Sequence, residues 1–108
     1  MDKVSDLDVA KKLLAIKSSA DTRGIIFDMS LKRVRQLLNM NKCFITGADL
    51  NRVNGDDNQL TFDRLDNTKG YIDSNVVACS LRMNRAKDSL TIDDITMLYM
   101  AIVKKSKK

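Results

Sequence analysis

Hydrophobic positions recur with helical spacing at both ends of the chain and with a shorter, strand-like rhythm in between. Over residues 5–19, SDLDVAKKLLAIKSS, Leu7, Ala10, Leu13 and Leu14 fall on one helix face. Ser5 stands where an N-cap belongs, and Asp6, Asp8 and Lys17 suit the helix dipole. Gly24 breaks the pattern in a connection over 20–29, where Ile25, Ile26 and Phe27 are expected to pack inward. A second helix is predicted from Ser30, with Leu31, Val34, Leu37 and Leu38 on its apolar face. Lys32, Arg33 and Arg35 lie elsewhere on it, as a solvated face or a phosphate-facing patch.

Cys43-Phe44-Ile45-Thr46-Gly47 is a short apolar piece closed by a glycine turn. Residues 48–60 are polar, with turn signals from Asn54 to Asn58, and read as a flexible connection within reach of a ligand. Their aspartates lack the ligand spacing and terminal glutamate of an EF-hand. The stretch 61–87, TFDRLDNTKGYIDSNVVACSLRMNRAK, reads as strand, turn, strand and the start of a helix. On a purely structural reading it is a surface hairpin with cross-strand ion pairs, a positive-φ Gly70, and Tyr71 and Met83 in the core. The last helix starts at Thr91 with Asp93 and Asp94 in its first turn, and Ile92, Ile95, Leu98, Tyr99 and Ile102 form its apolar face. Its end runs into Lys104, Lys105, Lys107 and Lys108, a basic tail that either aids solubility or holds a phosphate backbone.

Composition narrows what these elements can do. A chain of 108 residues is one domain. A net charge of +5 and a pI of 9.4 favour acidic partners, nucleic acid first and an anionic membrane surface second. No apolar run approaches the roughly 20 residues of a spanning helix, and no secretory signal opens the chain, so a soluble cytoplasmic protein is expected. There is no histidine, glutamate, proline or tryptophan, and all 14 acidic residues are aspartates. Ser-His-Asp and Cys-His catalysis and paired-glutamate hydrolysis are therefore excluded. What remains must use Asp, Lys, Tyr, Cys or a metal held mainly by oxygen. Two cysteines without histidine cannot supply the four N or S ligands of a structural zinc. Thr46, Ser80 and Met83 stand where further cysteines would be needed, so Cys43 and Cys79 read as small buried apolar groups.

The order of motifs from Leu31 to the last helix resembles small HNH-type endonucleases of the ββα-metal (His-Me finger) fold, common in bacteriophages. The resemblance rests on Cys43-x-x-Thr46-Gly47, then Phe62-Asp63-Arg64-Leu65-Asp66-Asn67-x-Lys69-Gly70-Tyr71, Asn75-Val76-Val77, and Asn84-Arg85-x-Lys87. It implies an HNH-like ββα core over 43–90; with the helical part over 1–40, whose first helix lies outside the resemblance, and the C-terminal helix with basic tail over 91–108, the chain is expected to be one α+β domain. It also implies a zinc-free branch of the family and a DNA endonuclease or nickase using Mg²⁺ or Mn²⁺, encoded by a phage or mobile element and acting in a bacterial host cell. Asp63 and Asn84 would hold the metal, and Asn75 would orient the strand and turn. Arg64, Lys69, Arg82, Arg85, Lys87, Lys104 and Lys105 would meet the nucleic acid. Arg64 occupies the position where the family normally carries its water-activating histidine, and arginine stays protonated. Three outcomes stay open: a metal-bound water supplies hydroxide while Arg64 stabilises the phosphate, Tyr71 or Asp66 acts as base, or the protein only binds nucleic acid or a host protein. Oligomeric state is open too.

Overall fold

Helix α1 spans Asp6–Arg23, beyond the periodic stretch that predicts it. The Ser5 hydroxyl accepts the Asp8 N–H at 3.1 Å, and Gly24 ends the helix at φ 67°, where it donates to the Ala20 and Asp21 carbonyls. Its buried face differs from the expected one. Val9, Ile16 and Ala20 are buried, whereas Leu7 and Leu14 are exposed. A computed structural model describes residues 4–106 as a small α+β fold of four helices and two two-stranded sheets. Lys107 and Lys108 of the basic tail lie outside the described residues.

After α1 the chain forms strand β1 (Phe27–Asp28) and helix α2 (Leu31–Leu38), which is capped by Ser30 and packs against α1. Ile26, expected to point inward, is 72% exposed, because its backbone serves a strand pairing instead. Leu31 is exposed as well, and only Val34 and Leu37 of the predicted α2 face are buried. Two of the three α2 cations are engaged within the protein: Arg33 donates to the Val76 carbonyl, and Arg35 pairs with Asp6. The connection over 48–60 is tied down rather than loose. Asn51 bridges to Gln59, Asn51 and Asn58 both donate to Asp56, and the turn carbonyls of Asp57 and Gln59 receive the Arg82 and Leu81 N–H groups.

Strand β2 (Leu60–Arg64) pairs antiparallel with β4 (Val76–Ser80), with Phe62 opposite Ala78 and Asp63 opposite Val77. Side chains alternate across a strand. Leu60 and Phe62 thus share a face with Val76 and Ala78 and join Val9, Ile16, Val34 and Leu37 in the main core. The opposite face carries Thr61, Asp63, Val77 and Cys79. It is covered by helix α3 (Leu81–Lys87) and by the segment around Cys43, whose sulfur lies 3.5 Å from that of Cys79. Every residue of β4 is buried, since it is covered on both faces. Helix α4 (Ile92–Ser106) closes the described chain, with a reciprocal cap between Thr91 and Asp94.

Between β2 and β4, strand β3 (Tyr71–Ile72) runs parallel to β1, with Phe27 opposite Tyr71. Gly70 precedes it, and its φ is not positive as the turn reading expects. Glycine is required there by proximity. A Cβ would lie 2.4 Å from the Ile26 carbonyl oxygen and 2.8 Å from its Cβ. Gly70→Ala must therefore push β1 away from β3, at an expected cost of about 1–3 kcal/mol typical of overpacking. A lowered thermal midpoint checks this, and an unchanged one refutes the close approach.

Candidate functional site

Asp63 and Thr61 lie two apart on β2 and so face α3 together, where Asn84 and Lys87, three apart, share one helix face. The two spacings match. The Asn84 amide donates to the Thr61 hydroxyl at 3.0 Å, and the Lys87 ammonium comes within 3.5 Å of the Asp63 carboxylate. Thr61 gives its own proton to the Cys79 carbonyl at 2.9 Å, so it can only accept from Asn84. That fixes the amide with its nitrogen toward Thr61 and its oxygen free.

Asp63, Asn84 and Lys87 line a cleft of about 160 Å³ together with Arg23, Phe62, Arg64, Asn67, Tyr71 and Asp88. Asp63 is buried, and its Oδ2 has no hydrogen-bond partner among the described residues. Burial pushes its carboxyl above the ordinary carboxylate value, against the pull of Lys87 and Arg64. A buried carboxylate in that condition gains from any cation that can reach its open oxygen. Lys87 does not fill this role completely. Its shorter contact, 2.8 Å, is to the Arg64 carbonyl, and 3.5 Å is long for a charge-assisted bond.

Arg64 projects from the end of β2. Its Nη1 donates to the Asn67 and Lys69 carbonyls at 3.2 and 3.0 Å, and its guanidinium lies over the Tyr71 ring at 5.2 Å. Arg23 reaches the same ring from α1 and donates to the Tyr71 hydroxyl at 3.2 Å. Tyr71 packs against the main core, as the structural reading expects, and is also a wall of the cleft. Met83, also expected in the core, is only partly buried and lines a groove beside α4. Asn67 links the loop to the end of α3 by donating to the Asp88 and Leu90 carbonyls.

Asn75 supports the whole turn from behind. It is buried, its amide donates to the Asp66 and Gly70 carbonyls at 3.1 and 3.0 Å, and its oxygen accepts the Asp66 N–H at 3.0 Å. Asp66, weighed above as a replacement base, is a poor one. The Thr68 hydroxyl and N–H hold its carboxyl below the ordinary value.

The site residues expected from the sequence thus divide into two groups. Asp63, Arg64, Asn84 and Lys87 meet in the cleft, and Asn75 braces it. Lys87 is 8% exposed, so it faces the cleft and Asp63 and does not reach outward to a flanking phosphate as expected. Lys69, Arg82, Arg85, Lys104 and Lys105 are exposed and line no part of the cleft, nor does the 48–60 connection. Two cleft residues were not anticipated. Asn67 carried only a turn signal. Arg23 gave no signal beyond a basic last helical turn, and only the β1–β3 pairing delivers it.

A divalent hard cation needs oxygen ligands and tolerates several waters among them. Asp63 and Asn84 line one cleft, and the buried, unpartnered Asp63 Oδ2 and the Asn84 amide oxygen are the two protein oxygens that would have to hold such an ion. Among the described residues no three acidic or thiol side chains cluster, so any ion there would be completed by water and a bound anion.

Comparison with known proteins yields one relative. The chain is 26% identical over 88 residues to the uncharacterized 29.0 kDa protein in the dda-modA intergenic region of Enterobacteria phage T4. The match covers 81% of this chain and 35% of that protein. No protein-family model matches, and no solved structure does. No helix among the described residues is long and apolar enough to cross a membrane.

Proposed function

We propose that this protein is a divergent HNH-like, divalent-metal-dependent DNA endonuclease or nickase built on a ββα-metal core. One observation carries the reading: a buried carboxylate with an unpartnered oxygen, an oriented asparagine and two arginines share one cleft on a strand–helix junction. The phage relative is consistent with a bacteriophage setting.

In this reading Asp63 and Asn84 hold Mg²⁺ or Mn²⁺, which supplies Lewis-acid polarisation of the phosphate and a more acidic bound water. Arg23, bonded to the Tyr71 hydroxyl, and Arg64, over the Tyr71 ring, would meet the negative charge of the phosphodiester. Lys87 favours the ionised form of Asp63 against the burial that raises its carboxyl, and it keeps β2 attached to α3 through the Arg64 carbonyl. Asn75 keeps the turn at the register that aligns Asp63 with Asn84. No side chain of the cleft has the neutral-pH basicity of histidine, so slow turnover is expected. The exposed cations Arg82, Arg85, Lys104 and Lys105 would add contacts to the DNA backbone outside the cleft, and the salt dependence of binding would report them.

The experiment is supercoiled-plasmid nicking with Mg²⁺ or Mn²⁺. The native protein should convert supercoiled to open-circular DNA. Asp63→Ala should abolish conversion while DNA retardation in a gel persists. Cleavage that survives Asp63→Ala would sink this assignment. A second reading, a catalytically silent binder of nucleic acid or a host protein, is favoured by the Lys87–Asp63 contact, in which an ammonium already faces the carboxylate. Tight DNA binding without nicking under any divalent ion would establish it.

A further inference from the structure

Two cysteines distant in the chain meet on the face of β4 turned away from the main core. Cys43 and Cys79 are both free and buried, and their sulfurs lie 3.5 Å apart. The neighbouring backbone holds the two segments side by side. The Phe44 N–H donates to the Ala78 carbonyl at 2.9 Å, and the Ser80 N–H donates to the Cys43 sulfur at 3.4 Å. Closing to the roughly 2.05 Å of a disulfide asks for about 1.5 Å of approach, a movement on the scale of side-chain rotation. The two thiols are not equivalent. Cys79 is fully buried, and burial, together with its contact with Cys43, pushes its thiol up to about 12. Cys43 lines a hollow of about 160 Å³ with Arg33, Lys42, Phe44 and Val77, which gives a small molecule a route to its sulfur. Burial raises the Cys43 thiol as well, but hydrogen bonds from the Thr46 hydroxyl and from the Thr46, Ser80 and Ile45 N–H groups outweigh it and lower the thiol to about 6.

We propose that Cys43 and Cys79 form a two-cysteine oxidation site, in which Cys43 reacts with hydrogen peroxide and Cys79 converts the product into an intramolecular disulfide. The thiolate is the nucleophilic form of cysteine, so the first step falls to Cys43. Its sulfur attacks one peroxide oxygen, the O–O bond breaks, and the hydroxide that leaves takes up a proton to become water. The sulfenic acid so formed stands beside the Cys79 sulfur. Cys79 gives up its proton and attacks the Cys43 sulfur, the S–S bond forms, the S–O bond breaks, and a second water departs. Two thiols lose two electrons and two protons in all, and one peroxide is reduced to two waters. A thiol so close intercepts the sulfenic acid before it is oxidised further, which keeps the change reversible. The link would fasten the segment after Cys43 to the end of β4, where Ser80 caps α3 through the Met83 N–H. The inference is independent of the phosphodiester reading, since neither cysteine lines the cleft.

Hydrogen peroxide added to the folded full chain, followed by thiol titration and by peptide mapping without reductant, tests this. The native protein should lose both thiols together, yield a peptide pair joined through Cys43 and Cys79, and regain both thiols with dithiothreitol. A cross-link that closes a long loop restricts the unfolded chain, so the oxidised protein should melt on the order of 10 °C above the reduced one. Cys79→Ala should stop at a sulfenic acid on Cys43 that dimedone traps. Cys43→Ala should lose its remaining thiol about tenfold more slowly or worse, because the thiolate-forming partner is gone. Peptide mapping of the native protein decides the matter even if either variant fails to fold. Thiols that survive peroxide in the native protein overturn the proposal. So does oxidation that links only separate chains, or a Cys79 that reacts as fast in Cys43→Ala as the pair does in the native protein.

Discussion

Arg64→His is expected to raise divalent-metal-dependent plasmid nicking on the order of 10²–10⁴-fold, the usual contribution of a positioned general base. The substituted imidazole would stand directly after Asp63, at the end of β2, beside a buried carboxylate with an unpartnered oxygen and the Asn84 amide. Histidine titrates near neutrality, so the gain should follow deprotonation and grow between about pH 6 and 8. The change also removes the two bonds from Arg64 to the Asn67 and Lys69 carbonyls and its contact with Tyr71. A stability loss of about 1–2 kcal/mol should accompany it, on the scale of ordinary net hydrogen-bond contributions. Nicking and chemical denaturation measured on the same preparation separate the two effects. No gain in a variant that still binds Mn²⁺ would argue against a catalytic metal cradle that lacks only its base, and the silent-binder reading would stand.

The largest stability effect is expected at Asn75. Asn75→Asp preserves shape but replaces the two N–H donors that serve the Asp66 and Gly70 carbonyls with carboxylate oxygens. Acceptor then faces acceptor, and the charge is buried. A loss of about 3–5 kcal/mol is expected at pH 7, comparable to leaving a buried charge uncompensated. Its pH dependence has a definite sign. The introduced carboxyl is more easily protonated in the folded than in the unfolded state, so its folded pKa is raised. Relative stability is therefore recovered as pH falls toward the unfolded carboxylate range and lost as pH rises through the folded pKa. Denaturant midpoints at pH 4.5 and 7.5, referenced to the native protein, check this. A deficit that is the same at both pH values would argue that the turn does not depend on the Asn75 donors.

The consequence for function is direct. Asp66, Asn67, Lys69 and Gly70 form one turn, fastened by Asn75 from one side and by Arg64 from the other. Thr61 fastens Asn84, and Lys87 fastens β2 to α3. Each cleft residue is therefore held by a neighbour from the same motif stretch. That explains why polar residues so densely spaced along 61–87 coexist with a fully buried β4: their bonds are made locally, and the strand behind them stays apolar.

How much of this was legible in the sequence depended on how local the cause was. Caps at Ser5 and Thr91 were readable because a hydroxyl three residues before its target N–H acts within one turn. The hairpin of β2 and β4 followed by α3 was readable from alternation, a glycine-bearing turn and a change of period. The meeting of Asp63, Arg64 and Asn84 was readable because a strand–helix unit fixes which spacings share a face, whereas Lys87, expected to meet a flanking phosphate, turns inward to Asp63. Burial along α1 and α2 was not readable. Leu7, Leu14 and Leu31 satisfy helical periodicity as well as Val9, Ile16 and Val34 do, and only the position of the packed partner selects among them.

What the sequence determined by itself is the local grammar: α and β elements, capped helices, a polar hairpin–helix unit, and a chemistry without histidine or glutamate. Tertiary structure alone decided the contacts between distant segments. The two-residue pairing of β1 with β3 carries Arg23 into the cleft and makes Gly70 obligatory through proximity to Ile26, not through its turn. The same level decided that α4, apolar by its pattern, finds no partner in its own fold. Periodicity records which side chains avoid water, but not which surface receives them, because that depends on residues far away in the chain.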